Sequence, residues 1–176
     1  MKLYPDGLES RDAELWDAAL ETLARTYRTG RHEVAAAIRT NSGAIHTGVH
    51  IAGSAGRSSI CAEGMALGAV LIGSDSTVPL SDEIDTVIAV LYRPDEHGAT
   101  VRTIAPCGVC RELLFDYAPN SWGYVYDWGT TSLQPTLHTT EPETERGFSG
   151  SPTIAGGHAR RILIRDLLPG KNLRDW

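Results

Sequence analysis

The sequence is poor in the features that hold secreted or membrane-bound folds together. It has three cysteines in 176 residues, an odd number that argues against a disulfide framework. The first residues, Met1-Lys2-Leu3-Tyr4-Pro5-Asp6-Gly7, lack the apolar core of a secretory leader. The longest apolar stretch, around Ala66 to Ile72, is far too short to span a bilayer. Basic residues are also in deficit, with 16 Lys and Arg against 22 Asp and Glu and a formal net charge of −6. This disfavours a phosphate-rich partner, because nucleic-acid binders carry basic stripes. Arg160-Arg161 reads as a solvated strand edge, and no basic stretch interleaved with aromatics is present. The expectation is a cytoplasmic protein that binds neither nucleic acid nor membrane.

What is present is an ordinary globular composition, 41% hydrophobic and 22% charged. The length suits one domain, residues 1–176, with a sizeable core. No internal repeat or domain linker is visible. Trp16, Leu20, Leu23 and Tyr27 fall at helical spacing and predict a first helix over 10–28, capped by Ser10 and ended by Thr29-Gly30. Residues 34–40 and 44–51 read as strands joined by Asn41-Ser42-Gly43. A second helix is predicted over 61–72 and a third over 108–117. The apolar run 84–92 suits a central strand covered on both faces. Shorter strands are expected at 101–104, 124–126 and 161–165. Residues 128–159, rich in Thr, Ser, Gly and Pro, read as a long loop or lid. This order fits an α/β fold with a layered mixed sheet.

Cys107-Gly108-Val109-Cys110 is a C-x-x-C pair, which redox motifs and structural zinc knuckles share. There is no second such pair, and the remaining thiol is Cys61. Three protein ligands leave the fourth tetrahedral position of zinc to water, the mark of a catalytic site. Glu63 follows Cys61 by two residues at a helix start, near the metal without needing to bind it. A carboxylate there can take a proton from water and pass it to a leaving amine. Helix N-termini favour thiolates, and Arg111 or Arg57 can offset their charge. Two blander readings stand beside this one. Each cysteine alone is more often a small buried hydrophobe. A closed structural zinc site can also form if a histidine of the hairpin region, His32, His46 or His50, supplies the fourth ligand.

Cys61-Ala62-Glu63 together with Pro106-Cys107-Gly108-Val109-Cys110-Arg111-Glu112 resembles the cytidine deaminase family, in its cysteine-ligand branch. The resemblance runs from about residue 31 to 126 and resumes at Asp166-Leu167-Leu168-Pro169-Gly170. It implies a three-layer α/β/α sandwich around a five-stranded mixed sheet. It also implies Zn²⁺ held by Cys61, Cys107 and Cys110, and a homo-oligomer, tetramer or dimer. The implied reaction is hydrolytic: water activated by zinc attacks the ring carbon that bears the amino group. Glu63 protonates the ring nitrogen and then the departing ammonia, and the backbone near Ala62 holds the base.

The sugar and base contacts depart from the family pattern. Where relatives carry F-x-V-G-A, this chain has His32-Glu33-Val34-Ala35-Ala36, so His32 takes the position that packs on the pyrimidine. Where they carry G-x-N-I-E-N, it has Gly48-Val49-His50-Ile51-Ala52-Gly53. His50 replaces the Asn and Ala52 replaces the ribose-gripping Glu, a loss of about 1–3 kcal/mol for plain cytidine. Gly64 stands where some relatives have a charge-compensating arginine, and Glu112 replaces a Gln. The expected substrate is cytidine or a related aminopyrimidine nucleoside. A modified cytosine nucleoside, as for blasticidin S deaminase, is one alternative, and a non-catalytic zinc-stabilised binding protein on the same scaffold is the other. Trp128, His138, Phe148 and His158 are candidates to cover a non-standard substrate, against the simpler reading of a surface insertion.

Overall fold

The computed structural model describes residues 4–74, 79–95, 98–127, 147–148 and 152–171. Helix α1 spans Ala13–Thr26 and is followed by the hairpin of strands β1 (Val34–Thr40) and β2 (Ile45–Val49). Helix α2 (Ala62–Gly73) and the single helical turn α3 (Leu80–Glu83) lead into strand β3 (Ile84–Asp95). Strand β4 (Gly98–Thr103), helix α4 (Gly108–Tyr117) and strand β5 (Trp122–Asp127) follow. The chain closes with β6 (Thr153–Ile154) and β7 (His158–Leu163).

The side-chain alternation of β1 and β3 makes the three layers. Ala35 and Ala37 of β1 and Ile88, Val90 and Tyr92 of β3 face α1, where they bury Leu15, Trp16, Ala19 and Leu23. Their neighbours Ala36, Ile38, Val87 and Ala89 face the other way, onto Ala66, Leu67 and Val70 of α2 and Leu114 and Phe115 of α4. A period of two puts adjacent residues on opposite faces, so a continuous apolar run is what a doubly covered strand requires. The sheet is mixed. β1 is antiparallel to both β2 and β3, and β3 is antiparallel to β4 but parallel to β5. β7 is antiparallel to β5 and β6 is parallel to β4. The expected α/β/α sandwich is therefore present, with seven strands among the described residues where the resemblance implies five. The additional strand β6 arises inside the segment expected to be a loop, because Thr153 and Ile154 pair with the free edge of β4.

Two local expectations are corrected. Ser10 does not cap α1. It opens a 3₁₀ turn, Ser10–Asp12, and the residue at the helix N-cap is Asp12, whose carboxylate makes no capping bond. That carboxylate turns inward instead, to Tyr124 and Arg39. The helix also ends earlier than expected, with Tyr27 as its C-cap. The hairpin turn is as expected: Gly43 adopts φ +90°, open to glycine without a steric cost, and its N–H bonds Thr40 O at 2.9 Å.

Gly48 decides how closely α2 can lie on β2. A Cβ there would overlap the backbone nitrogen of Ala66 and stand 2.5 Å from the carbonyl oxygen of Ala62. Neither atom can move without moving the helix that begins at the Cys61 N-cap. Gly48→Ala is expected to cost about 1–3 kcal/mol of stability and to weaken metal binding, measured by denaturant unfolding and zinc titration. Unchanged values in both would rule out this packing role.

Candidate functional site

The three thiols come together because two helices start at one place. Cys61 is the N-cap of α2, Cys107 is the N-cap of α4, and Cys110 lies in the first turn of α4. Their Sγ atoms all lie within 4.8 Å of one another, and Cys61 and Cys107 are 3.3 Å apart. All three are free cysteines, and 3.3 Å is far beyond the ~2.05 Å of a disulfide. Ligands about 2.3 Å from one tetrahedral zinc stand roughly 3.8 Å apart, so the cluster fits that ion in both donor type and spacing. Among the described residues no histidine joins the three sulfurs, which removes the support for a closed structural site. Arg111 Nε donates to Pro106 O at 2.8 Å and braces the turn that carries Cys107.

Without metal the cluster resists multiple ionisation. Burial pushes the Cys61 thiol up to about 11, helped by its contact with Cys107. Burial likewise raises Cys110, with Glu63 and the other two thiols adding to it. Burial acts upward on Cys107 too, but the backbone N–H of Cys110 and the two neighbouring thiols outweigh it and leave Cys107 below its ordinary value. Glu63 is 4% exposed. Burial raises its carboxyl above the usual carboxylate value against the opposing pull of its own backbone N–H and the Cys110 thiol. A buried carboxyl that holds its proton more tightly than usual suits both taking and giving one.

Cys61, Ala62, Glu63 and Cys107 open onto a cleft of about 250 Å³. His50 lines the same cleft, and its Nδ1 is buried without a hydrogen-bond partner. His32 is not part of the lining; its Nδ1 bonds the backbone oxygen of His50 at 2.8 Å and stands behind that residue. The remaining walls were not singled out from sequence. They are apolar at Val34, Leu91, Ile104 and Ala105, and charged at Glu33 and Arg93. Val34 and Leu91 are register partners across β1 and β3, a long-range pairing that motif spacing does not encode. The place of Arg93 straight after the apolar run was the one available signal.

Among the described residues, none of the segment after β5 lines this cleft. Phe148 stacks on Tyr92 at 4.4 Å and meets Tyr27 edge-on at 6.4 Å. Both tyrosines belong to the core on the α1 side, the face of the sheet opposite α2 and α4. His158 opens β7, with its Nδ1 3.2 Å from Asp6 Oδ2. Trp128 and His138 lie outside the described residues.

The sequence model described as "Cytidine and deoxycytidylate deaminase zinc-binding region" matches residues 9–125. The chain belongs to this family. It is accordingly a zinc-dependent hydrolase of the deaminase type. Blasticidin-S deaminase of Bacillus cereus is 38% identical over 114 residues, 64% of this chain and 77% of that protein. Among solved structures, cytidine deaminase of Burkholderia pseudomallei superposes with a TM-score of 0.58 at 19% identity, covering 93% of this chain and 98% of that one. Cytidine deaminase of Mycobacterium tuberculosis superposes with a TM-score of 0.51 at 18% identity, covering 88% and 94%. These two likenesses concern the deaminase fold.

Proposed function

We propose that this deaminase releases ammonia from cytidine or a related aminopyrimidine nucleoside, with zinc held by Cys61, Cys107 and Cys110. The observation that carries this reading is the gathering of three thiols and one buried carboxyl on a single cleft. Zinc, when bound, supplies a Lewis acid that makes water nucleophilic at neutral pH. Glu63 moves the protons, to the ring nitrogen first and the departing amine second. Ala62, on the cleft wall at the first turn of α2, holds the base through its backbone. The apolar side chains of Val34, Leu91 and Ile104 exclude water from the ring. His50 faces the sugar from the cleft wall, and His32 positions His50 through the bond to its carbonyl.

A modified cytosine nucleoside is the second reading. It is favoured by Ala52, which has no acceptor for a ribose hydroxyl, and by the likeness to blasticidin-S deaminase. A panel of aminopyrimidine bases, nucleosides and modified nucleosides, assayed for ammonia release by zinc-loaded protein, separates the two. Silence across the whole panel would overturn both. Ala52→Glu is expected to raise cytidine kcat/KM by roughly ten- to hundredfold, the worth of about 1–3 kcal/mol. No gain would mean that residue 52 does not face the sugar.

We also read the chain as a single domain and a cytoplasmic homo-oligomer, a tetramer or dimer. Among the described residues no helix is long and apolar enough to cross a membrane, and the three cysteines are free. Helix α2 is apolar apart from Glu63, with Met65 and Leu71 exposed and Ile72 90% exposed, a surface that a second copy would cover. Sedimentation is expected to give a multiple of the chain mass, reduced by Ile72→Glu. A monomeric wild type would refute the assembly.

A further inference from the structure

The three thiols are not held equally. Cys110 is buried in the first turn of α4, Cys61 is half-buried and Cys107 is exposed. Cys107 stands just outside the helix on extended backbone, with φ −66° and ψ 171°. It ends the short turn that leads from β4. Ile104 still donates its N–H to Ala89 O at 3.0 Å, but the sheet lets go of the chain there. Pro106 has no N–H to give. Among the described residues, the single hydrogen bond made by Ala105 and Pro106 is the one that Pro106 O accepts from Arg111 Nε at 2.8 Å.

Arg111 also holds the far side of Cys107, where its backbone N–H donates to Cys107 O at 2.9 Å. The peptide planes before and after Cys107 are therefore both tied to one residue. Only φ and ψ are soft between two planar peptides, so fixing both planes fixes the direction in which the thiol leaves the backbone. Pro106 is buried, and a buried carbonyl that loses its donor carries the full desolvation penalty. The turn has to settle elsewhere if that bond is removed. Ile104, Ala105 and Cys107 line the cleft, and Arg111 is not among the lining residues. We infer that Arg111 is a positioning residue for the metal centre, aiming the Cys107 thiol through its hydrogen bond to Pro106 O. The role requires the donor at Nε and not the positive charge. It rests on the reading of Cys61, Cys107 and Cys110 as the zinc ligands, and needs no assumption about the substrate.

Side-chain length supplies the test. The amide nitrogen of glutamine occupies the chain position of arginine Nε, so Arg111→Gln keeps a donor and loses the charge. Arg111→Lys keeps the charge and moves the donor one bond further out. Arg111→Met keeps the length and loses both. Zinc affinity of the full-length protein is measured by chelator competition. Cobalt(II) loaded in place of zinc reports the bound thiolates through its sulfur-to-metal charge-transfer band. Arg111→Met is expected to bind zinc about tenfold more weakly or worse, and to show a weakened band when fully loaded. Arg111→Gln should recover about threefold of that loss, because a neutral donor is roughly half as strong as a charged one, and Arg111→Lys should recover less. A merely structural role would lower the melting temperature and leave the band of the loaded protein as in wild type, which would overturn the inference. So would wild-type zinc affinity in Arg111→Met, or a Lys variant that outperforms Gln, since charge beside the thiolates would then be the cause. If Arg111→Met does not fold, the order of Gln and Lys decides. A wild type that takes up no zinc would overturn the ligand assignment and this inference together. Tight zinc in wild type with indifferent variants would overturn the role of Arg111 alone.

Discussion

Glu63→Gln is expected to retain about one zinc per chain and to lose turnover by roughly 10²–10⁴-fold, the usual worth of a positioned proton carrier. Glu63 is buried beside the thiols but is not one of the three clustered sulfur ligands, so the amide should leave the metal in place. Gln keeps the shape of the side chain and removes the proton that must reach the ring nitrogen. Metal analysis and steady-state ammonia release check the two halves independently. Loss of zinc would mean that Glu63 holds the site together, and normal turnover would mean that another group carries the proton.

The second large effect lies on the other side of the sheet. Asp12 is fully buried and joins elements far apart in sequence. Its carboxylate accepts from Arg39 Nη2 and, at 2.8 Å, from the hydroxyl of Tyr124, and it lies 3.4 Å from Arg161 Nε in an ionic contact. Arg39 bonds Asp85 through Nε at 2.9 Å and Nη2 at 2.6 Å. Arg161 bonds Thr86 Oγ1 at 3.1 Å and covers the ring of Trp122 at 4.3 Å. This network ties the start of α1 to β1, β3, β5 and β7. Asp12→Ala is expected to cost about 3–5 kcal/mol, because it removes the buried charge that two largely buried guanidiniums and a tyrosine hydroxyl share. Denaturant unfolding measures it, and a change below about 1 kcal/mol, the level of a surface pair, would refute the network's role.

The same network sets the acid side of stability. Burial by itself would raise the Asp85 carboxyl, but the hydrogen bonds from Arg39 and Thr86 and the nearby Arg11 hold it below its ordinary value. A carboxyl depressed in the folded state contributes stability that is complete above its unfolded value of about 3.9 and is lost as pH falls through the lower folded value. Unfolding midpoints should therefore drop below about pH 4, and Asp85→Asn should flatten part of that fall.

The ligand set and its proton carrier were legible in the residues because their information is local. A cysteine at a helix start, a carboxylate two residues later and a C-x-x-C opening the next helix each depend on a few neighbours and on the helix period. The central strand was legible for a related reason: a strand covered on both faces must be apolar at successive positions. Helix α4 appears at the predicted limits, and β1 likewise.

Tertiary structure alone decided the rest. Nothing in the sequence around Ser10 shows that Asp12 would leave the helix end to bond Arg39, 27 residues away, and Tyr124, 112 residues away. Phe148 has no periodic neighbours, and only the packed core shows that it belongs with Tyr27 and Tyr92, away from the metal side. Strand β6 is two residues long and exists because β4 offers an unpaired edge. The walls of the cleft come from the register of β1 on β3, which places Glu33 beside Arg93, and from that of β1 on β2, which brings the backbone of His50 to His32. Short-range spacing determined which atoms do the chemistry; the register of distant strands, set by burial of whole faces, determined what those atoms can reach.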